Sequence, residues 1–177
     1  RRRGSLHAHR PVTASGVTVA IPAHPPRVRN GLLARALASV HAQTRLPDAV
    51  SVAVDTEKRG AWHTRQRALD AVATEWVAFL DSDDELLPGH LALHRKWAEA
   101  ERADFVYAWF QVVPEHRADP FPEWYFTDPW DPARPRHTTM TVMARTELAK
   151  AVGFREPEPG ASVGNEDWNF LIGCIEA

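Results

Sequence analysis

Short apolar runs alternate with amphipathic stretches along most of the chain. The runs occupy residues 17–21, 49–54 and 76–80, and the stretch between the first two places Leu33 and Leu37 at helical spacing. Continuous apolar runs of this length are typical of strands buried on both faces, whereas the intervening periodicity predicts helices. Because strand and helix alternate, we predict an α/β fold, an αβα sandwich around a mostly parallel central sheet.

Prolines mark the ends of several predicted elements. Pro22 and the pair Pro25 and Pro26 are expected to stop the first strand, and Pro88 suits the first turn of a helix. Further strands are predicted at 104–112 and 138–144. Between them, residues 113–137 interleave six prolines with aromatic residues. This composition predicts a long irregular segment that either stacks on a sugar ring or covers the core.

Three carboxylates follow the third apolar run within four positions: Asp81, Asp83 and Asp84. In open α/β sheets, ligands bind beyond the carboxyl ends of the strands. Carboxylates this close repel one another unless a cation is present, and hard divalent cations take oxygen ligands. The alternative is a polar turn that caps the next helix. The run therefore predicts a site for a divalent cation and an anionic ligand.

A second acidic pair, Glu166 and Asp167, follows Asn165, a favourable N-cap for the last predicted helix. Acidic residues in a first helical turn are stabilised by the helix dipole by ~0.3–1 kcal/mol, so capping is one interpretation. The other is catalytic. One of these carboxylates would take a proton from an incoming hydroxyl, while a metal at Asp83 stabilises a departing diphosphate.

Composition narrows the class of protein. The 177 residues are 44% hydrophobic and 25% charged, and the net charge of −2 gives no reason to expect nucleic acid as a partner. The single cysteine, Cys174, excludes an internal disulfide, suits a reducing compartment and is expected to be a buried apolar residue. No apolar run approaches the ~20 residues of a transmembrane segment. We expect a cytoplasmic protein. The alternative expectation is a cytoplasmic protein that lies against the inner face of the membrane.

An ordered series of segments resembles the GT-A glycosyltransferases of family 2. The acidic run alone is a weak signal, but the series as a whole is specific. The resemblance implies the Rossmann-like GT-A fold for residues 17–177 as one domain. Residues 1–16 are expected to be a disordered basic tail or a cloning remnant. The matching segments are residues 17–22, 37–44, 52–55, 64–69, 76–84, 143–154 and 166–168.

The resemblance also implies roles for individual residues. Asp83, together with Asp81, would hold Mn or Mg. Asp167 would be the general base, with Glu166 as the second candidate, and His137 is the nearest candidate for a further metal ligand. Contacts to the nucleotide sugar would come from Pro22, Ala23, Asp55, Arg65, Asp81 and Ser82.

The activity implied by the resemblance is inverting and metal-dependent. A sugar would move from a nucleotide-diphosphate donor to a hydroxyl of a glycan, lipid or protein acceptor. Residues 17–112 would bind the nucleotide sugar, and residues 113–177 would form the acceptor side.

Two other functions are compatible with the residues. An apolar strand that ends in Asp-x-Asp also opens haloacid-dehalogenase-like phosphatases, although that family carries the motif early in the chain. A domain of this kind could also bind a nucleotide sugar or a protein without turnover.

Overall fold

The computed structural model describes residues 14–113, 138–157 and 166–177. Outside the described residues lie most of the predicted tail, the proline-rich segment 114–137 with His137, and Asn165. The strands are β1 (Ala14–Ala23), β2 (Ala49–Val54), β3 (Thr74–Phe79), β4 (Phe105–Tyr107) and β5 (Val142–Arg145). The helices are α1 (Pro25–Arg29), α2 (Leu32–His41), α3 (Ala61–Asp70), α4 (His90–Glu101), α5 (Thr146–Val152) and α6 (Glu166–Glu176).

The five described strands form one sheet in the order β2-β1-β3-β5-β4. β1 pairs in parallel with β2 and β3, whereas β5 is antiparallel to both β3 and β4. Four of these strands therefore run in one direction and β5 runs in the other. This confirms the predicted α/β class with a mostly parallel sheet.

Successive residues of β3 are buried on opposite faces of the sheet. Val77 and Phe79 belong to the core that also holds apolar residues of α3, α5 and α6. Trp76 and Ala78 belong to the core beneath α2 and α4. Because helices cover both faces, neither set of alternating positions meets water, and this accounts for the unbroken apolar run in the sequence. Cys174 is also buried, as expected, and burial raises the pKa of its thiol to about 12.

Pro22 does not end the first strand, which corrects the prediction made for it. β1 continues through Pro22 to Ala23, in register with β2. The backbone of Ala20 faces β3, because its carbonyl accepts the Leu80 N–H at 3.1 Å. Pro22, two residues on, faces the same side, where pairing with β3 has already ended. A proline is tolerated at a position that has no neighbouring strand to bond.

Two further elements differ from the predictions, one helix and one strand. The sequence did not predict α1, a single helical stretch that begins at Pro25. The predicted strand 104–112 is much shorter in the structure, where only Phe105–Tyr107 pairs with β5. None of the helices in the described parts of the chain has the length and hydropathy of a membrane-spanning segment.

A histidine pair on α4 makes the fold sensitive to acid. The rings of His90 and His94 lie 4.1 Å apart between centroids. Burial, assisted by His94, lowers the pKa of His90 to about 3, and burial also lowers the pKa of His94. An unfolded histidine takes up a proton near pH 6.5, but folded His90 does not. The unfolded chain therefore binds more protons below pH 6.5, and stability falls as the pH falls.

We expect the free energy of unfolding to fall by about 1–2 kcal/mol between pH 7 and pH 5 because of His90. Urea titrations at the two pH values measure this change. His90→Asn should lose that part of the pH dependence, whereas substitution of the exposed His24 by Asn should retain it. An identical pH dependence in His90→Asn and the wild type would exclude this role for His90.

Candidate active site at the carboxyl edge of the sheet

The carboxyl ends of β1, β2 and β3 place three predicted positions side by side. Asp55, directly after β2, donates its backbone N–H to the carbonyl of Ala23 at 2.8 Å. Asp81 follows β3, the neighbour of β1 on the other side. Parallel strands bring their carboxyl ends to the same edge, and the first turns that leave them form a crevice there. Ala23, Asp55 and Asp81 therefore share one edge of the sheet.

The Asp55 carboxylate closes the loop between β2 and α3. Its two oxygens accept the backbone N–H groups of Arg59 and Gly60, each at 2.9 Å. Burial raises the pKa of Asp55, but these hydrogen bonds outweigh it and the net shift is downward. Gly60 has a φ of 95°, a conformation that favours glycine. Asp55 thus fixes the shape of the loop that borders the crevice.

Arg65 of α3 joins the two acidic motifs. Its Nη1 donates to Glu166 Oε1 at 2.7 Å, and its Nη2 donates to Asp81 Oδ1 and Oδ2 at 3.0 and 3.2 Å. The Arg65 side chain is only 10% exposed. Burial lowers the pKa of Arg65, but the carboxylates of Asp81, Asp167 and Glu166 raise it above its ordinary value. A permanently charged guanidinium therefore holds the first acidic run against the N-terminus of α6.

The two acidic residues of α6 lie in different environments. Glu166 is buried and bound to Arg65. Asp167 has no ion pair within 4 Å among the described residues, and its Oδ1 accepts the Trp168 N–H at 2.8 Å. Burial, with the charges of Glu166 and Asp81, raises the pKa of Asp167 despite the opposing effect of Arg65. Of the two carboxylates, Glu166 is therefore held by an ion pair, whereas Asp167 has none among the described residues.

The acidic loop after β3 is bound by two arginines. Asp83 Oδ1 lies 2.5 Å from Arg27 Nη1, and the Asp83 carbonyl accepts a hydrogen bond from Arg35 Nη2 at 2.9 Å. Burial, together with the charges of Asp81 and Asp83, nevertheless raises the pKa of Asp84 to about 6. Asp81, Asp83 and Asp84 thus bring three carboxylates to a short loop that two arginines contact.

Ser82 differs from the other predicted site residues. Its side chain is fully buried, and its Oγ has no hydrogen-bond partner among the described residues. Asp81 and Asp83 on either side are half-buried and reach solvent. Ser82 thus lies buried between two partly exposed carboxylates.

The chemistry of the donors fits a hard divalent cation. Within the described ranges, no group of three His, Cys, Asp or Glu side chains is close enough together to hold a metal ion. Mg²⁺, however, is usually bound by one or two carboxylates with substrate phosphates and water completing its shell. Asp83 and Asp81 supply two such carboxylates. Each is already paired with a guanidinium, Arg27 and Arg65 respectively.

Arg27 and Arg35 are site residues that sequence reasoning missed. Both lie in the connection between β1 and β2, where Pro25 and Pro26 were interpreted only as the end of a strand. The available signal was proline at the first position of a helix, followed by arginines. That signal locates a helix but does not indicate which carboxylate its arginines contact.

Comparison with known proteins identifies the fold and the family of the chain. Among solved structures, the chain is similar to TarS of S. aureus, with a TM-score of 0.67 and 19% identity over 89% of this chain and 33% of that one. TarS 1–349 in complex with UDP-GlcNAc gives a TM-score of 0.68 and 20% identity over 89% of this chain and 52% of that one. TarS 1–349 in complex with UDP gives 0.65 and 19%, over 90% and 55% of the two chains.

The chain thus spans between a third and just over half of the length of these structures, and at this identity the likeness shows the fold. No curated protein sequence matches it significantly. The model of the family described as "Glycosyl transferase family 2" matches residues 33–151. Because this match covers well over half of the sequence, the chain belongs to glycosyl transferase family 2.

Proposed function

We propose that this domain is the catalytic domain of an inverting, metal-dependent glycosyltransferase, which moves a sugar from a nucleotide-diphosphate donor to an acceptor hydroxyl. The observation that carries the proposal is the contact of Arg65 with both Asp81 and Glu166. One guanidinium holds Asp81 of the acidic loop, which would serve the leaving group, beside Glu166 at the start of α6, whose neighbour Asp167 would serve the attacking group. Membership of the family supports transfer rather than the phosphatase alternative.

The donor would lie along the carboxyl edge. Pro22 and Ala23 would line the nucleotide pocket, and Asp55 would meet the base beside the loop that it closes. Arg65 would stand near the diphosphate. A structural neighbour binds UDP-GlcNAc, which makes UDP-sugars the first donors to test. In this arrangement, residues 17–112 serve the donor and residues 113–177 the acceptor.

Asp167 would be the general base in a single displacement. The acceptor oxygen attacks the anomeric carbon from the face opposite the diphosphate. As the new bond forms, the bond to the diphosphate oxygen breaks, and the acceptor proton passes to Asp167. Glu166 is already committed to Arg65 and would position α6 rather than accept the proton.

Asp83 and Asp81 would hold the cation. When bound, Mn or Mg neutralises charge on the diphosphate and makes it a better leaving group. The three carboxylates of Asp81, Asp83 and Asp84 lie within four positions of the chain, and this concentration of negative charge supports the assignment.

Donor binding tests the proposal directly. With Mn present, a UDP-sugar at about 100 times its Kd should stabilise the fold by about 2.7 kcal/mol and raise the Tm by roughly 5–10 °C. A thermal-shift screen of UDP-, GDP- and dTDP-sugars, with and without Mn, measures this. Asp83→Asn should remove the Mn-dependent part of the shift. Glu101→Gln is the control, because it makes the same change of charge at an exposed position away from the site and should leave the shift unchanged.

The outcomes separate the remaining possibilities. Absence of a shift with every nucleotide sugar would contradict the proposal. A shift without sugar transfer to any acceptor would favour the binding-module alternative. A shift that Asp83→Asn leaves unchanged would remove Asp83 from the metal site.

A further inference from the structure

The residue assigned to the metal already has a positive partner from the protein. Arg27 Nη1 lies 2.5 Å from Asp83 Oδ1, and the two side chains are 32% and 35% exposed. Arg27 belongs to α1, which follows the end of β1 at the carboxyl edge of the sheet. The ion pair therefore links the first βα connection to the acidic loop at the point where a cation would bind.

Arg27 does not have to hold the shape of the acidic loop. Arg35 of α2 donates to the Asp83 carbonyl at 2.9 Å, and its Nε lies 2.9 Å from Glu85 Oε1. The Asp84 N–H also donates to the Asp81 carbonyl at 3.1 Å, closing a turn. These contacts involve the backbone of the loop and the side chain of Glu85. The Asp83 carboxylate can therefore lose Arg27 while the loop keeps its shape.

Arg27 Nη1, 2.5 Å from Asp83 Oδ1, opposes the approach of a divalent cation to that oxygen, because like charges at short distance repel. We propose that Arg27 competes with the cation for Asp83, holds this carboxylate in the donor-free protein, and transfers to the donor's diphosphate when the cation binds. This inference rests on the proposed function, which places the cation at Asp83. The diphosphate supplies the oxygens that a freed arginine binds well.

The competition has a measurable consequence for the free protein. When only a fraction of molecules has Asp83 free, the apparent affinity for the cation is reduced by that fraction. The wild-type chain should therefore bind Mn²⁺ weakly without nucleotide. Removal of Arg27 should strengthen this binding by about two- to fivefold, the range expected for a partly exposed ion pair.

Calorimetric titration of the folded chain with MnCl₂, without nucleotide, tests the competition. Arg27→Gln should bind Mn²⁺ more tightly than the wild type. Arg29→Gln is the matched control, since Arg29 is exposed on the same helix and the change of charge is identical. Arg27→Lys keeps the charge and should remain close to the wild type. Thermal melting of each variant verifies that it is folded.

A second titration with UDP present tests the transfer of Arg27. With UDP bound, Arg27→Gln should bind Mn²⁺ less tightly than the wild type, because the glutamine cannot make the contact of Arg27 with the diphosphate. Equal Mn²⁺ affinities of Arg27→Gln and the wild type without nucleotide would overturn the inference, as would an equal gain in Arg29→Gln.

Asp83→Asn separates this failure from failure of the proposed function. If Asp83→Asn abolishes Mn²⁺ binding but Arg27→Gln changes nothing, only the competition is wrong. If Asp83→Asn binds Mn²⁺ as the wild type does, the metal assignment is wrong and the competition is wrong with it.

Discussion

Asp167→Asn should slow sugar transfer by about 10²–10⁴-fold while donor affinity stays within a factor of two or three. Asparagine has nearly the same shape and keeps an oxygen for the Trp168 N–H, but it cannot accept the acceptor's proton. Asp167 is not paired with Arg65, so the change should not disturb the contact between α3 and α6. Single-turnover rates and calorimetric donor titrations measure the two quantities separately.

The pH profile of the same reaction provides a second test. Burial raises the pKa of Asp167, and the residue must be ionised to take a proton. The transfer rate should therefore fall as the pH drops through that raised pKa and level off above it. Glu176→Gln, on the exposed end of the same helix, should keep the wild-type rate and profile. Full activity in Asp167→Asn would exclude Asp167 as the base.

Arg65→Met should destabilise the fold by about 3–5 kcal/mol, because it leaves the buried Glu166 without a counter-charge. The side chains of Arg65 and Glu166 are 10% and 9% exposed, so water cannot replace the lost partner. A loss of this size is a large part of the 5–15 kcal/mol that stabilises a typical domain. Urea denaturation at neutral pH gives the free energy of unfolding of each variant.

A double-mutant cycle distinguishes lost charge pairing from lost packing. Glu166→Gln in the Arg65→Met background should recover part of the stability, because the unpaired buried charge is removed. Arg67→Met, an exposed arginine of the same helix, should change stability by less than about 0.5 kcal/mol. If Arg65→Met and Arg67→Met are equally mild, the contact between the acidic motifs does not stabilise the fold.

Local patterns were sufficient for the sheet and for the position of the acidic residues. The run around Trp76–Leu80 predicted a strand buried on both faces, since burial of alternate residues under helices on each side requires an apolar residue at every position. The same run also located Asp81 at a carboxyl edge. The burial of the strand and the position of Asp81 depend on residues that are close together in the chain, so they can be predicted from local sequence patterns.

Local patterns failed where the outcome depended on a neighbouring strand. Pro22 was predicted to end β1, but the strand continues because pairing with β3 has already ended on the side that the proline faces. Pro25 and Pro26 were interpreted only as the end of β1; the strand does end before them, but they also open α1, which was not predicted. A proline excludes a hydrogen bond at one position, and only the surrounding structure decides whether a bond was needed there.

The sequence by itself determined that this chain has an α/β domain with carboxylates at a strand end and at a helix start. Which carboxylates are paired with arginines was decided by the tertiary structure. Arg65 meets Asp81, 16 residues away, and Glu166, 101 residues away, and Arg27 meets Asp83 across 56 residues. Ion pairs between such distant residues leave no periodicity in the sequence, because they form only when folding places separate elements side by side.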